Sequence, residues 1–467
     1  MRTTVKTTYI ALIGALTLSA CSQEETRVIM PDGSDRKIVF HTSLPGVETK
    51  ATEIATDLTY LHLTAFNVSD DSYIENGKIK EYVDDIRIDK DAGSSRCASD
   101  LCIWPEQGHE DDVLHFFAYY PDLALGATTL NETSADGSDK TLGYTVKDFR
   151  IADNIADHVD FVTAYASGSM TDNYFSGVSL RFDHQLSRIQ VYAKGQHKSC
   201  DIEIAGVRIG GVTMQQDFEF PTAPDAEGAW KETENTEKGT VEYIFRPGDA
   251  IVKVGADAQS IIGSKIDADN DNCAIVLPTT DATGWDIKQD IHNVNAGMYI
   301  SVLLRVLDKT PGGNLKQQYP YFDKSQGLNA MDIPRECIVV DNDGIVTRSL
   351  GTLYKDDAGK YYTDANKTAE YKYTLAAGEE IREFGWAALP VTGDWKPGYI
   401  YSYTLDYTGG VGVHDPKCPD PRDESNSSFA GPLAGDAIIS DVIGVSVSVN
   451  GWQGKDNNTH TVVIPGS

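Results

Sequence analysis

The residues best suited to chemistry stand near the start of the chain, where Leu18-Ser19-Ala20-Cys21 closes an apolar run that begins at Tyr9. Basic Arg2 and Lys6 precede this run, which is too short to span a membrane. Small residues before the cysteine admit a signal peptidase, and the Cys21 thiol can accept a lipid that anchors a protein to a bilayer. The pattern predicts a lipoprotein signal peptide over residues 1–21 with lipidation at Cys21. The alternative is an ordinary secretory signal whose Cys21 remains as a disulfide partner.

The usual motifs of enzymes are missing from the sequence. It contains no Gly-x-Ser-x-Gly, no His-Glu-x-x-His and no Gly-x-x-x-x-Gly-Lys-Ser/Thr, and its ten histidines lack ligand spacing. We therefore predict no catalytic residues, no cofactor and no metal. We also predict that the protein is not an enzyme.

One acidic stretch resembles the first half of a calcium-binding loop. It runs from Asp267 to Asp271, but an EF-hand loop needs glycine at its sixth position and a carboxylate at its twelfth. Those positions hold Asn272 and Pro278. A solvated acidic turn is the favoured interpretation.

Six cysteines follow Cys21, an even number that permits disulfides in an oxidising compartment. Cys97 and Cys102 enclose four residues and could close a bridge at the tip of a hairpin. A zinc site at this pair would need two further ligands, for which only His109 and His115 are near in sequence.

Composition excludes one large class of partner. The chain carries 40 basic and 70 acidic side chains, a net charge of −30, and it has no basic cluster. Nucleic-acid binding requires lysine and arginine gathered on one face, so we predict no nucleic-acid partner. The 23 tyrosines and 14 phenylalanines suit β-sheet surfaces better than helical cores.

Strand patterns dominate the chain from residue 38 onward. β-branched and aromatic runs, most with a period of two, end at Pro, Asp or Gly, and no amphipathic helix intervenes. The clearest runs are 38–44, 59–68, 113–120, 178–182, 189–193, 202–204, 241–245, 274–278, 299–306, 399–407 and 442–449. This pattern predicts an all-β protein built from antiparallel sandwiches.

The domain organisation is predicted from length and composition. The length suggests two or three domains, and the composition changes between Gly210 and Lys238. We predict a signal peptide over 1–21, a tether over 22–37, an N-terminal β-sandwich over 38–215 and a C-terminal β-sandwich over 216–467. The stretch 409–435, rich in Pro, Asn and Ser, is predicted to be a long loop.

An ordered set of landmarks resembles the fimbrillins of Bacteroidales, the pilins of type V fimbriae. The landmarks are Glu48-Thr49-Lys50-Ala51-Thr52, Trp104-Pro105 with Leu114 to Pro121, Val178 to Ile189, Trp395 to Leu405, and the closing strand up to Trp452. The resemblance covers most of the chain after residue 38. It implies two tandem transthyretin-like antiparallel β-sandwich domains and assembly by strand exchange after proteolysis.

The resemblance also implies partners and a location. The partners are other fimbrial subunits and a trypsin-like maturation protease. The location is the fimbrium and the outer membrane, held through the N-terminal lipid on the cell surface. The residues Ser22-Gln23-Glu24-Glu25 resemble the acidic export tag of some Bacteroidetes lipoproteins and agree with that location.

The order of segments along the chain suggests how exchange would work. The apolar stretch Ile38 to Leu44 precedes the candidate cleavage site between Lys50 and Ala51, although Arg27, Arg36 or Lys37 could be cut instead. The candidate donor strand is either 442–452 or the tail, in which Val462, Val463 and Ile464 can pair before Pro465 ends the pairing. The simpler alternative is a monomeric lipoprotein in which 38–44 is an ordinary first strand.

The rival function is a surface glycan-binding lipoprotein. Such a protein would present several aromatic side chains on one exposed face, and the tryptophan candidates are Trp104, Trp386, Trp395 and Trp452. Aromatic side chains in strands more often belong to the core. The sequence does not distinguish a stalk, a tip or an anchor subunit.

Overall fold

The computed structural model describes most of the chain from Arg36 onward. The described residues are 36–44, 58–91, 94–123, 126–137, 139–262, 272–286, 297–309, 317–320, 334–356, 358–417, 434–439, 443–451 and 460–464. Within these ranges, no helix is both long enough and apolar enough to cross a membrane.

The described secondary structure is almost entirely strand. The first strands are β1 Lys37–Ser43, β2 Tyr60–Asn67, β3 Ile74–Glu75, β4 Lys78–Ile79, β5 Glu81–Asp89, β6 Arg96–Ile103, β7 Leu114–Tyr120, β8 Thr128–Asn131, β9 Ser134–Asp136, β10 Asp139–Thr141, β11 Tyr144–Arg150, β12 Val162–Gly168, β13 Val178–Arg181, β14 Asp183–His184, β15 Ser187–Lys194 and β16 Cys200–Glu219. The later strands are β17 Ala229–Lys231, β18 Glu237–Ile244, β19 Val252–Lys253, β20 Gln259–Ser260, β21 Ala274–Val276, β22 Thr279–Ala282, β23 Tyr299–Asp308, β24 Gln317–Tyr319, β25 Arg335–Val340, β26 Val346–Lys355, β27 Tyr361–Tyr362, β28 Glu380–Pro390, β29 Gly393–Trp395, β30 Tyr399–Asp406, β31 Val413–His414, β32 Gly444–Gly451 and β33 His460–Ile464. Between them lie 3-10 turns at Asp71–Tyr73 and Ile155–Asp157, and one helical turn, α1, at Met170–Asn173.

The predicted all-β class is confirmed, because strands account for 57% of the described residues and helix for 3%. Most of the described ladders are antiparallel, as predicted. Two of them are parallel, β1 with β13 and β15 with β30, which the sequence analysis did not anticipate. Parallel neighbours require a long crossover connection, and both pairs join segments far apart in the chain.

Two sheets form the part of the molecule that holds β1. One is three-stranded in the order β13-β1-β6, and the other is five-stranded in the order β14-β12-β7-β2-β5. They meet where the Phe40 ring packs edge-to-face on Phe116, with the ring centroids 5.2 Å apart. Aromatic pairs favour this geometry.

The strand β7 is buried on both faces. Phe116 points toward β1, while Phe117 packs against Tyr144 of β11 and against Phe220, with centroids 5.4 and 5.8 Å apart. A strand covered on both sides has no solvent-exposed face. Its sequence is therefore almost continuously apolar or aromatic instead of alternating: Leu114-His115-Phe116-Phe117-Ala118-Tyr119-Tyr120.

The largest sheet is organised around β16, which has twenty residues. Its first half pairs with β23 and its last residues pair with β11, so one long strand joins the two parts of the sheet. The change of partner occurs near Gly211, whose φ is +73°, and a Cβ there would lie 2.2 Å from the Gly297 carbonyl oxygen. Glycine is required at this bend because any side chain would collide with the neighbouring backbone.

The remaining large sheet has the order β20-β15-β30-β32-β33, with β21 also pairing with β15. Side chains of β15 and β30, among them Val191 and Leu405, belong to the same core as β16 and β23. The core is therefore continuous across both halves of the described chain.

The predicted boundary between 215 and 216 falls inside β16, so that strand would contribute to both predicted domains. The division into domains 38–215 and 216–467 stays a prediction.

Candidate functional site: the first and last strands

The first strand occupies the middle of its sheet. On one side Phe40 pairs in parallel with Val178 of β13, and on the other side it pairs antiparallel with Cys97 of β6. Ile38 and Phe40 are fully buried, while Val39 between them is partly exposed. The predicted apolar strand at 38–44 is thus a strand at Lys37–Ser43 with one buried face.

Hydrogen bonds fix the C-terminal end of β1. The Thr42 backbone N–H and side-chain hydroxyl both donate to the Ser95 carbonyl, at 2.8 and 3.1 Å, and the Phe182 N–H donates to the Ser43 carbonyl at 2.8 Å. At the other end, Lys37 Nζ lies 2.5 Å from the Asp100 carboxylate, and both side chains are largely exposed. An exposed ion pair of this kind contributes little to stability.

Gly177 is in direct contact with β1. Its φ is +71°, and a Cβ there would lie 2.7 Å from the His41 ring and 2.9 Å from the Val39 carbonyl oxygen. The turn that leads into β13 therefore approaches the backbone of β1 more closely than a side chain would permit.

Two thiols lie on β6, the strand that pairs antiparallel with β1. Cys97 and Cys102 are both fully buried on β6, and Cys97 Sγ lies 3.9 Å from the Phe40 carbonyl oxygen. Burial raises the pKa of each thiol to about 12. Both belong to one strand instead of flanking a hairpin tip, and in the structure both are free thiols. An irregularity in the β1–β6 ladder accompanies their five-residue spacing.

The last described strand lies at the edge of its sheet. The β33 backbone pairs antiparallel with β32, with Val462 opposite Val447 and Ile464 opposite Val445. Within the described residues, β32 is its only partner, since β33 ends the order β20-β15-β30-β32-β33. The candidate donor segment 462–464 is therefore a strand held on one side only.

Several predicted site residues lie outside the described ranges. These are Cys21, Lys50 and Ala51, the alternative cleavage site Arg27, and the acidic stretch 267–271. Their roles stay predictions. Arg36 and Lys37 are described and stand at the start of β1, so a cut after either would leave nearly all of β1 attached to the body.

The tryptophans proposed as a sugar platform do not form one in the described structure. Trp104 and Trp395 are each 1% exposed, and the Arg208 guanidinium covers Trp386 at 3.9 Å from the ring centroid. Trp452 lies outside the described residues. The three described rings therefore contribute to packing.

Sequence reasoning missed the parallel partner of β1. The run Val178 to Arg181 was identified as a strand, but its pairing with a segment about 140 residues earlier leaves no local signal.

Comparison with known proteins was made on the whole chain. A fimbrillin-like family model matches residues 50–310, which is more than half of the chain. No curated protein matches at a significant level.

Solved structures that match the chain come from species of Bacteroides and Parabacteroides. A fimbrial protein from Bacteroides vulgatus is 13% identical with a TM-score of 0.47, and the match covers 90% of this chain and 100% of that one. A proposed cell adhesion protein from Parabacteroides distasonis is 10% identical with a TM-score of 0.38, covering 89% of this chain and 100% of that one. A second such protein, from Bacteroides eggerthii, is 10% identical with a TM-score of 0.34, covering 91% and 98%. By the match of the family model, this chain belongs to the fimbrillin-like family.

Proposed function

We propose that the protein is a structural, non-enzymatic subunit of a cell-surface fimbria that functions in adhesion and assembles by protease-triggered strand exchange. A lipid on Cys21 would hold it at the outer membrane. The observation that carries the proposal is the position of β1, a short strand near the start of the chain that lies between two other strands.

Removal of β1 would create an acceptor site with two open edges. The backbones of β6 and β13 would lose their shared partner, and the Phe40 contact with Phe116 would be replaced by an apolar groove. Unpaired strand edges beside an apolar groove are the feature that recruits an extended segment from another chain.

The predicted cleavage site suits this release. Lys50 follows β1 by seven residues, so a cut there separates the whole of β1 from the body. Cuts at Arg27, Arg36 or Lys37 precede nearly all of the strand and would leave it in place. We therefore favour cleavage after Lys50 by a trypsin-like protease.

The tail is the favoured donor. In its own chain β33 has one described partner, β32, whereas in the position of β1 it would have two, β6 and β13. Each additional backbone hydrogen bond contributes about 1 kcal/mol net, so transfer from an edge to a central position is favourable.

The test compares four forms of the full-length precursor by size-exclusion chromatography: intact, trypsin-cut, cut after deletion of residues 460–467, and trypsin-treated Lys50→Gln. N-terminal sequencing identifies the cut. Because a cut strand can stay bound without a covalent link, each sample is also run in urea below its unfolding transition. We expect head-to-tail oligomers from the cut form alone.

A synthetic peptide with the sequence of residues 37–44 provides the specificity control. Added in excess, it should refill the groove and suppress oligomers, while the same peptide with Phe40 replaced by Asp should not. A protein cut at Lys50 that remains monomeric at high concentration would contradict strand exchange.

Anchoring is tested separately. Cys21→Ser should prevent incorporation of a labelled fatty acid and abolish partition into the membrane fraction. Unchanged partition of the variant would contradict the lipid anchor and leave the assembly proposal untouched.

A further inference from the structure

Two loops at one end of the five-stranded sheet bring a histidine and two carboxylates together. Asp70 follows β2, while His109 and Asp112 belong to the connection between β6 and β7. One ligand atom from each of these three side chains lies within 4.8 Å of the others. No sequence motif links Asp70 to the other two.

A buried amide contacts the Asp112 carboxylate and the backbone of the turn that carries Asp70. Asn67, at the end of β2, is 1% exposed. Its side-chain nitrogen donates to Asp112 Oδ2 at 2.9 Å, and its side-chain oxygen accepts from the backbone N–H groups of Ser69 and Asp70 at 2.9 and 3.2 Å. One rigid side chain therefore orients the loop that carries Asp70 and the carboxylate of Asp112, as outer-shell partners do around bound metals.

Lys140, whose charge acts on Asp70, makes its hydrogen bonds outside the cluster. Lys140 Nζ donates to the Val68 carbonyl at 2.6 Å and to Asp71 at 2.8 Å. The His109 ring makes one hydrogen bond, from Nδ1 to Asp112 at 3.1 Å. The Asp70 carboxylate accepts the Ser72 backbone N–H on Oδ1 at 2.8 Å. An ionised carboxylate can accept at both oxygens, so this bond leaves a position for a cation.

We propose that Asp70, His109 and Asp112 form a binding site for a divalent transition metal of the zinc class. One imidazole nitrogen with two carboxylate oxygens is a mixed donor set that such ions accept, whereas calcium and magnesium prefer oxygen donors alone. Asp70 and His109 come from different loops, so the metal would join the turn after β2 to the β6–β7 connection. The partial exposure of the cluster leaves room for water to complete the coordination.

A second histidine, on β2 of the five-stranded sheet, provides a matched control. His62 also contacts two carboxylates, Asp85 at 3.2 Å through Nδ1 and Asp122 at 2.7 Å through Nε2. Both ring nitrogens of His62 are used by these bonds, so no ring nitrogen remains for a metal. Substitution of Asp122 should therefore leave metal binding unchanged.

The experiment is titration of the purified full chain, without a polyhistidine tag, with zinc alone by calorimetry. Cobalt absorption serves as a second measurement, and a phosphine reductant keeps the thiols reduced. We expect one equivalent to bind. His109→Gln, Asp112→Asn and Asp70→Asn should each weaken binding by at least about tenfold, and Asp122→Asn should not. Zinc should also raise the melting temperature of the parent protein and not that of His109→Gln.

Two outcomes would overturn the site. One is the absence of binding to a chain whose circular dichroism shows that it is folded. The other is binding of equal strength by the parent and His109→Gln, which would assign the metal to other groups, such as the cysteines.

Discussion

The first and last described strands are held in opposite ways. β1 has a partner on each side and buries Ile38 and Phe40 completely, whereas β33 lies at the edge of its sheet and pairs only with β32 among the described strands. If strands are exchanged as proposed, the replaced strand must leave a well-formed site behind it, and the donated strand must detach without disturbing the body. The central position of β1 and the edge position of β33 favour those two roles.

The strand β1 also covers an aromatic surface. β1 lies directly over Phe116, whose other neighbour is the buried ring of Trp104, at a centroid distance of 6.3 Å. Exposure of this aromatic surface to water is unfavourable, so β1 can be lost from a stable monomer only if something replaces it.

The largest expected effect comes from the buried anchor of β1. Phe40→Ala should lower the free energy of unfolding by about 3–5 kcal/mol, because it removes a fully buried ring and leaves a cavity beside Phe116. Urea denaturation followed by tryptophan fluorescence measures the loss. Val39→Ala, on the partly exposed face of the same strand, should cost far less. Equal costs for the two variants would mean that β1 is not anchored by its inner face.

Acid should weaken the sheet that holds β15 and β21 before it weakens the first strand. His158 is buried, accepts the Ile275 N–H on Nδ1 at 2.9 Å and donates from Nε2 to the Ala152 carbonyl at 2.8 Å. Burial lowers its pKa to about 4, so the unfolded chain binds a proton between pH 6.5 and 4 that the folded chain does not. Stability is therefore complete above pH 6.5 and decreases by about 3 kcal/mol as the pH falls toward 4.

Hydrogen exchange at pH 7 and pH 4.5 can locate this effect, because Ile275 lies in β21, which pairs with β15 of the sheet that holds β33. Protection should decrease more in β15 and β21 than in β1. His158→Gln should lessen the difference between the two pH values. His414, whose pKa burial also lowers to about 4, adds to the decrease in overall stability. A decrease confined to β1 would contradict the assignment to His158.

A smaller effect is expected at the turn that touches β1. Gly177→Ala should destabilise the protein by about 1–2 kcal/mol from the left-handed backbone alone, and by more from its contact with Val39 and His41. Gly137→Ala is the matched control, since Gly137 also has a positive φ, +61°, and a Cβ there would contact nothing within 4 Å. The difference between the two melting temperatures measures how tightly β13 closes on β1. A difference of zero would indicate that this contact relaxes without cost.

The smallest effect is expected at the other end of the chain. Deletion of residues 460–467 should change the monomer's free energy of unfolding by no more than about 1 kcal/mol. The lost ladder with β32 is worth about 1 kcal/mol per hydrogen bond, and the released residues regain a similar amount of conformational entropy. Urea denaturation of the deleted form tests this. A loss as large as that of Phe40→Ala would contradict the view of β33 as a detachable edge.

The sequence was sufficient for the fold class and for the strands whose runs alternate or are rich in aromatic residues, which are eleven of the 33 described strands. Period-two and aromatic runs identified β1, β7, β13, β15, β23 and β30, because alternation is a local property of a half-buried strand. The period of two that identified most runs does not apply to β7, where Phe116 and Phe117 point in opposite directions and are both covered. Burial on both faces depends on a third layer, which no local pattern encodes.

The arrangement of the site could not be predicted in the same way. The strand at 38–44 was identified, but its central position depends on Val178, a partner distant in sequence. The cluster of Asp70, His109 and Asp112 was missed because two loops that are separate in sequence meet only in the fold. Both misses have one physical origin, since contacts between distant segments leave no period or spacing in a single sequence.

The register of β1 has a consequence for the order in which the chain folds. Phe40 pairs with Val178, a residue about 140 positions later, so β1 can complete its sheet only after most of the first half of the chain has been made available. Distant pairings of this kind form late and slowly, because a long loop must close before any contact stabilises it. The first described strand is therefore among the last to pair, and until then it must be kept from pairing with the edges of other chains.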